Sequence, residues 1–555
     1  MKKNLSLFLF LFLFQFSFSQ TKTNYWIIFK DKNGSPYSLT KPSEYLSPKA
    51  IERRAKQNIP VSLSDLPVNP NYVDALKSIG VSIINQSKWF NAILISTVDA
   101  NKIAAINALP FVKGVRSISI SQQSKLNTKF ETESNSEVIQ NEKSVASTSS
   151  TSLDYGLSFK QANQIGVDCL HDLGFQGQGM TIAVLDAGFL NANVLPAFDS
   201  LHIHNQILGC RDFVVGDTLV YEDYPHGMNV LSCMGGNLPG RIVGTSPKAK
   251  FWLLRTEDAW TESLQEEINW LVGAEFADSV GADLITSSLG YNIFDNPADS
   301  HTYADMDGNT TIVTKAADWA VSKGLFVVIA AGNAGGPSWY KITAPGDADS
   351  VLTIGAIDSL GYVAGFSSRG PTYDGRIKPN TVARGVAAIV ASTSGDVAAE
   401  NGTSFSTPIT AGAVACLWQA NPTRTNMEIL YAIEQSASQY LLPDTIKGYG
   451  IPNFCTANQL LAGIDENKFN NENLKVYPNP FTSTFEISFY SDKKQIVEIE
   501  LYDISGRKLI SQMKQLNANI NNHFSITEME GLSNGIYIVQ LRTTDRSYFK
   551  KIIKN

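Results

Sequence analysis

Four polar residues carry the side chains that acyl transfer needs, and they occur in the order Asp186, His226, Asn333 and Ser404. A serine hydroxyl is a weak nucleophile that needs a base, and a histidine base needs a carboxylate to hold its tautomer. An asparagine amide can donate a hydrogen bond to the oxyanion that forms. The set therefore offers a nucleophile, a base, an orienting acid and a neutral donor.

Ser404 precedes a long apolar stretch. Residues 408–418 are apolar on nearly every face, which predicts a buried helix with Pro408 in its first turn. At the start of such a helix the backbone N–H of Ser404 has no acceptor within the helix and can point at an oxyanion. Taken by itself, the segment also fits a serine that only caps a core helix.

The other three candidates lie at the edges of predicted elements. Asp186 directly follows an apolar strand, and Asn333 follows another strand among small residues. His226, with Gly227 behind it, opens a helix rich in small residues. Each alone also fits a structural role: a capping Asp, a surface His or a glycine-rich turn. Because the chain has only six His, base candidates are few, and the co-occurrence favours a site.

Between residues 154 and 464, short apolar strands alternate with helical stretches. The predicted strands are 181–185, 251–254, 284–288, 325–330 and 351–354, and helices are predicted at 264–277 and 313–322. Uniformly apolar strands separated by helices predict an α/β domain, a mostly parallel sheet with helices on both faces. Sites in such sheets lie at the carboxyl ends of the strands, where the polar candidates fall.

The N-terminal third has three parts. Residues 1–19 have a short cationic start and an apolar block, which predicts a secretory signal peptide; a membrane anchor is the alternative. Residues 20–120 predict four strands and two helices, a small ferredoxin-like α+β unit. Residues 121–153 are rich in Ser, Thr, Asn and Gln, which predicts an exposed linker that is open to proteolysis.

The tail, residues 470–555, is separate. Alternating apolar and polar residues at 485–489 and 497–501, with turn residues between apolar runs, predict a small all-β sandwich. A net charge of −7 without a long basic run excludes nucleic acid as the main partner. After the N-terminal block no stretch of 18 apolar residues occurs, so no membrane span is expected in the mature chain. Five Cys allow one or two disulfides whose pairing the sequence leaves open, with Cys416 expected as a buried thiol.

Six segments of the middle region are similar to the motifs of the subtilisin-like serine proteases (subtilases, peptidase family S8). They are Ile182–Gly188, Pro225–Met228, Ser288–Gly290, Ala330–Asn333, Phe366–Pro371 and Gly402–Pro408. The resemblance implies a subtilisin-like fold and a serine endopeptidase whose triad is Asp186, His226 and Ser404, with Asn333 in the oxyanion hole. It also implies a set of substrate-binding residues: Ser288, Leu289, Gly290, Ala331 and Gly332. Ala187 and Met228 depart from the family pattern, and Ala187 removes one hydroxyl hydrogen bond near the Asp.

The flanking regions resemble known modules too. The N-terminal unit is similar to the inhibitor-like propeptide of this family, which implies a zymogen that cuts itself within 121–153. The tail resembles the C-terminal sorting domain of type IX secretion in Bacteroidetes-type bacteria, which implies export through the outer membrane to the surface or the medium; a carbohydrate- or adhesion-binding β-module is the alternative. The expected partners are protein or peptide substrates, the chain's own propeptide and the type IX machinery.

No cofactor is expected. Calcium often binds subtilases, but the sequence gives no clear metal site. One candidate is Asp305-Met306-Asp307-Gly308-Asn309, which places oxygen ligands at alternating positions. It lacks the later Glu of a calcium loop and also fits a plain Asp-Gly turn. Two other functions stay open. A catalytically silent surface binding protein on a subtilase fold is disfavoured by the complete triad, and an esterase by the Asp, His, Ser order, since α/β-hydrolases run Ser, Asp, His.

Overall fold

The computed structural model describes residues 23–119, 129–130, 137–138, 153–462, 474–503, 508–527, 529, 531–543 and 547–555. They form two compact units, which divide between Asn458 and Gln459. The predicted signal peptide and most of the predicted linker 121–153 lie outside the described residues. The part that is described has no helix long and apolar enough to cross a membrane.

The first unit begins with a four-stranded antiparallel sheet in the order β2-β3-β1-β4. Its strands are β1 (Thr23–Phe29), β2 (Ser82–Ser87), β3 (Ala92–Thr97) and β4 (Val112–Ile118), and its helices are α1 (Pro48–Lys56), α2 (Pro70–Ser78) and α3 (Asn101–Asn107). With α2 and α3 as the two crossovers, this confirms the ferredoxin-like plan. Helix α1 was not predicted, because it is short and strongly polar.

A seven-stranded, all-parallel sheet forms the centre of the first unit, in the order β14-β13-β12-β11-β6-β10-β7. Its strands are β6 (Thr181–Asp186), β7 (Ile207–Asp212), β10 (Lys250–Arg255), β11 (Leu284–Ser287), β12 (Phe326–Ala330), β13 (Leu352–Ile357) and β14 (Thr381–Arg384). The short strands outside it are β5 (Glu137–Val138), β8 (Asn237–Leu238), β9 (Ile242–Val243), β15 (Ala388–Ala391) and β16 (Val397–Glu400). The parallel sheet predicted from the apolar runs is confirmed.

Helices flank this sheet. They are α4 (Phe159–Gln164), α5 (Val167–Asp172), α6 (Asp199–Ile203), α7 (His226–Gly235), α8 (Leu264–Val280), α9 (Ile312–Ser322), α10 (Thr403–Ala420) and α11 (Asn426–Gln435). Helices α8 and α9 contact each other and share a core with alternate strand residues such as Leu185, Ile285 and Val327. Helices α7 and α10 also contact each other, and α10 packs along β11 to β14.

The start of α10 corrects one prediction. The helix begins at Thr403, so Pro408 lies inside it and not in its first turn. Pro408 has no N–H for the carbonyl of Ser404 four residues earlier. That carbonyl accepts a hydrogen bond from the Ser288 hydroxyl at 2.8 Å instead. The helix therefore tolerates the proline because a side chain from the neighbouring cleft segment satisfies the carbonyl.

The N-terminal sheet packs on α8, where Trp26, Trp89 and Leu94 join the core of the α/β sheet. Asp278 of α8 is fully buried in this interface, and three cations of the N-terminal unit surround it: Arg53 at 2.5 Å, Arg54 at 2.8 Å and Lys88 at 2.9 Å. Burial opposes the charge of Asp278, but the three cations outweigh it and lower its pKa to about 2.

One turn of α8 earlier, Glu275 also faces the N-terminal unit. Its carboxylate accepts hydrogen bonds from the Ser87 hydroxyl at 2.5 Å and from the backbone N–H groups of Lys88 and Trp89 at 2.7 and 3.0 Å. Burial raises the pKa of Glu275 to about 7, against the hydrogen bonds that lower it.

A single disulfide joins Cys169 of α5 to Cys455, while Cys210, Cys233 and Cys416 are free thiols. Cys416 is buried in α10, as predicted.

The second unit is all-β, as predicted, and consists of two antiparallel sheets, β17-β18-β21 and β20-β19-β22-β23. Its strands are β17 (Leu474–Tyr477), β18 (Phe485–Ser491), β19 (Gln495–Asp503), β20 (Lys508–Leu516), β21 (Ile520–Ile526), β22 (Gly535–Arg542) and β23 (Ser547–Lys554). Alternate residues of both sheets, such as Ile487 and Ile499, share one core. This is the packing of a small sandwich.

Candidate active site

Asp186 and His226 are in direct contact. Asp186 is the last residue of β6 and His226 the first of α7, and the Nδ1 atom of His226 lies 2.6 Å from Oδ1 of Asp186. Both side chains are buried. Gly227 permits the approach, because a Cβ at this position would lie 2.5 Å from the carbonyl oxygen of Gly188. The site needs glycine here for space.

The second carboxylate oxygen of Asp186 differs from the first. Oδ1 accepts the Ala187 N–H at 2.8 Å as well as the bond to His226. Oδ2 is buried and has no hydrogen-bond partner among the described residues. A hydroxyl-bearing residue at position 187 is absent, which fits the missing hydrogen bond expected from the sequence.

Ser404 and Asn333 line one cleft. Ser404 is the second residue of α10, and its hydroxyl lies 3.4 Å from the carbonyl oxygen of Ser288. Thr403 donates its backbone N–H and its hydroxyl to Oδ1 of Asn333, at 2.9 and 2.8 Å. These two donors identify Oδ1 as the acceptor end of the amide, so the donor end, Nδ2, points away from Thr403. Thr403 was not recognised in the sequence as the residue that orients Asn333.

The cleft has a volume of about 260 Å³. Of the predicted substrate-binding residues, four line it: Ser288, Leu289, Gly290 and Gly332. Ala331 does not belong to the lining; it is fully buried, and its N–H donates to Ile354 of β13 at 2.9 Å.

Thr343 stands directly behind two of the cleft glycines. A Cβ would come 2.3 Å from its hydroxyl oxygen at Gly290 and 2.6 Å from it at Gly332. Thr343 also lines the cleft. The hydroxyl therefore limits the depth of the cleft at this point.

Two residues of the predicted linker lie in the same cleft. Phe130 stacks on the imidazole of His226, with ring centroids 4.1 Å apart and planes at 20°, and it also stacks on Tyr224. Lys129 precedes it and donates its backbone N–H to the carbonyl of Ala259 at 3.3 Å. The sequence held one signal for this contact, since Phe130 is the only aromatic residue between positions 121 and 153.

Three carboxylates adjoin the cleft, and the sequence reasoning missed them: Glu257, Glu262 and Glu266. Their oxygens lie within 4.8 Å of one another. Burial raises the pKa of Glu257 and, together with the charge of Glu257, that of Glu266. Burial opposes the charge of Lys129, which lies among them, but the carboxylates outweigh it and raise its pKa well above the ordinary value.

The two carboxylates of the calcium candidate at 305–309 form hydrogen bonds within their own turns. Asp305 accepts hydrogen bonds from the backbone and hydroxyl of Thr302, and Asp307 accepts them from Asn309 and Thr310. Both carboxylates thus cap their own turns, as Asp side chains commonly do in plain turns. The plain turn is the better interpretation of this segment.

Comparison with known proteins gives three family matches along the chain. Residues 24–137 match the peptidase S8 propeptide domain of Bacteroidota, residues 177–450 match the subtilase family, and residues 475–555 match the secretion system C-terminal sorting domain. The chain is 31% identical over 312 residues to subtilisin amylosacchariticus of Bacillus subtilis subsp. amylosacchariticus, covering 56% of this chain and 72% of that protein. It is 30% identical to a subtilisin of Bacillus pumilus, covering 56% and 99%. It is also 30% identical to the serine protease AprX of Bacillus subtilis, covering 50% and 65%.

The fold, the cleft and these matches define a serine endopeptidase made as a secreted zymogen. The chain belongs to the subtilase family. Its sorting domain directs it through type IX secretion to the cell surface or the medium. The propeptide and sorting-domain matches also support the chain's own propeptide and the secretion machinery as partners.

Proposed function

We propose that Asp186, His226 and Ser404 are the catalytic triad of this endopeptidase and that Asn333 binds the oxyanion. The observation that carries the proposal is the 2.6 Å bond between His226 and Asp186 beside the cleft that Ser404 and Asn333 line. Phe130 of the chain itself lies on the imidazole, where a substrate residue would lie.

The proposed reaction is acyl transfer. The Ser404 hydroxyl attacks the scissile carbonyl, His226 takes its proton and returns it to the leaving amine, and Asp186 stabilises the imidazolium. The Asn333 amide and the N–H of Ser404 at the start of α10 stabilise the oxyanion. Water then releases the acyl group by the same steps.

The substrate is a protein or peptide in extended form. Residues 288–290 follow β11 at its carboxyl end and line the cleft, so they are placed to pair with a substrate backbone as an added strand. Gly290 and Gly332 are needed here because a Cβ at either position would collide with the hydroxyl of Thr343. The described residues that line the cleft all belong to the first unit.

The contacts of the linker narrow the expected processing site. Lys129 and Phe130 lie at the cleft and on His226, and β5 (Glu137–Val138) pairs with β16, which leads into Ser404. The described residues 129–130 and 137–138 thus contact segments that carry or adjoin the proposed triad. We expect the scissile bond after Phe130 and before Glu137, with the domains bounded as 20–120, 154–464 and 470–555 around it.

The test compares secreted wild type and Ser404→Ala by intact mass and casein cleavage. Wild type should lose the chain up to a point between Phe130 and Glu137 and should cut casein, whereas the variant should do neither. A full-length wild type that stays inert would contradict self-processing. Casein cleavage by purified Ser404→Ala would refute the proposed nucleophile.

A further inference from the structure

An acidic pocket opens beside the proposed triad and is occupied by a cation of the chain itself. Its carboxylates belong to Glu257, Glu262 and Glu266, all buried, and the first two line the same cleft as Ser404. Glu257 follows β10, and Glu266 lies in the first turn of α8. Glu262 lies between them, so all three carboxylates belong to the connection from β10 into the start of α8.

Lys129 fills this pocket. Its ammonium group lies 3.0 Å from Glu262 and 3.2 Å from Glu266, and it also forms a short ion pair with Glu257. The side chain of Lys129 is 13% exposed. Glu257 has a second neighbour, because the Tyr291 hydroxyl donates to it at 2.7 Å.

The position of Lys129 in the cleft indicates which residue of a substrate would enter the acidic pocket. Phe130, the next residue, stacks on His226, and the next described residues, Glu137–Val138, pair with β16, which precedes Ser404. Lys129 thus lies on the acyl side of the expected cut, one residue before the residue on the imidazole. A substrate that follows the same path would place one side chain among the carboxylates.

Three buried carboxylates without a cation are costly, since burial of an unpaired charge is expensive. A Lys or Arg side chain offsets this cost and a neutral one does not. We propose that Glu257, Glu262 and Glu266 form a subsite that selects a Lys or Arg immediately before the substrate residue that stacks on His226. This inference rests on the proposed function and names its substrate class.

The same carboxylates have the charge to hold a divalent cation, which is the competing use of the pocket. The structure favours the ammonium group, because Lys129 reaches all three carboxylates with its backbone bonded to Ala259 of the same loop. Calcium alone is therefore included as a probe in the experiment.

The substrate pair for the test comes from the chain itself. One peptide spans residues 125–140 and its partner carries Gln in place of Lys129; both are offered to the processed, secreted enzyme after EDTA treatment. We expect kcat/KM about 10- to 100-fold lower for the Gln peptide, because loss of a buried charged partner weakens binding by this order or more. Equal values within about twofold for the two peptides would overturn the subsite.

A variant pair assigns the effect to the pocket. Glu262→Gln should reduce the ratio of kcat/KM for the Lys peptide to kcat/KM for the Gln peptide several-fold, whereas a merely structural role would lower both values equally and keep their ratio. Glu222 is an exposed carboxylate in a groove next to the cleft. Glu222→Gln changes the net charge by the same amount and should keep the preference for Lys over Gln. An equal fall for both peptides in Glu262→Gln would overturn the proposal.

Two further arms complete the design. A preference for Lys that millimolar calcium abolishes would assign the carboxylates to a metal ion and overturn the subsite; a preference that calcium leaves intact supports it. Cleavage of casein by the same preparation tests the proposed peptidase activity separately from the proposed subsite. If casein is cut without a Lys preference, only the subsite fails, and if nothing is cut, the proposed function fails.

Discussion

The buried charge cluster between α8 and the N-terminal unit yields a quantitative prediction for the zymogen. Asp278→Asn removes the carboxylate that Arg53, Arg54 and Lys88 share, and keeps the size of the side chain. The three cations then remain buried, and Arg54 keeps a second carboxylate, Asp65, at 2.9 Å. The change should weaken the hold of the enzyme on its cleaved propeptide.

The magnitude follows from burial. Breaking a buried ion pair by removing one partner costs about 3–5 kcal/mol. At about 1.4 kcal/mol per factor of ten, this cost corresponds to propeptide dissociation that is on the order of 10²- to 4 × 10³-fold more favourable. Lys49→Gln supplies the comparison at the same interface. It breaks a pair with Asp283 in which the lysine side chain is 38% exposed, and exposed pairs contribute about 0–1 kcal/mol.

The assay follows release of the propeptide after self-processing. Processed wild type, Asp278→Asn and Lys49→Gln are diluted, and the onset of peptidase activity and the co-elution of the fragment are recorded. Asp278→Asn should lose its fragment at once, whereas Lys49→Gln should behave within about fivefold of wild type. Activity after full release should match wild type, which shows that the enzyme still folds. If Asp278→Asn retained the fragment as long as Lys49→Gln does, the reasoning from burial would be refuted.

Four further results are expected. Burial raises the pKa of Glu275 from 4.5 to about 7, so protonation of Glu275 favours the complex of enzyme and propeptide. Retention of the propeptide should therefore be greatest near pH 4.5 and should decline as the pH rises through 7. In the co-elution assay, Glu275→Gln should flatten this pH profile. Asn333→Leu should lower kcat about 10²–10³-fold with little change in KM, the size found for such a donor in a subtilisin; steady-state kinetics on casein peptides decide this. Thr343→Gly should deepen the cleft and raise kcat/KM for peptides with a large residue before the cut, relative to those with Ala there. Cys169→Ser with Cys455→Ser should lower the free energy of unfolding by about 2–4 kcal/mol, read as a lower melting temperature of the processed enzyme. An unchanged pH profile, kcat, preference or melting temperature would contradict the respective inference.

Periodicity predicted the architecture well and the details of its boundaries less well. Uniformly apolar runs such as Val327 to Ala330 predict parallel strands because both faces of the sheet are covered. Helix α1 was not predicted because it is buried through its arginines and not through an apolar stripe, which is the pattern that periodicity detects. The start of α10 was misplaced because the partner that satisfies the carbonyl of Ser404 is Ser288, distant in sequence.

The candidate site shows the same division. Asp186, His226 and Ser404 could be recognised because each stands at an element edge in a distinctive local pattern. The acidic pocket could not, since Glu257 and Glu266 are ordinary surface-type residues until the fold buries them beside Lys129. Local patterns reveal residues that need a special backbone, whereas convergence of distant charges depends on packing.

The disulfide bears on the resistance of the protease domain to proteolysis by the enzyme itself. Cys169 lies near the start of the protease domain and Cys455 near its end, 286 residues later. Processing exposes new chain ends on this domain, and fraying ends are where a protease first attacks. The bridge fastens both end segments to each other, and such a bond persists in an oxidising compartment. We therefore expect the disulfide to protect the protease domain from cleavage at its ends by other copies of the enzyme.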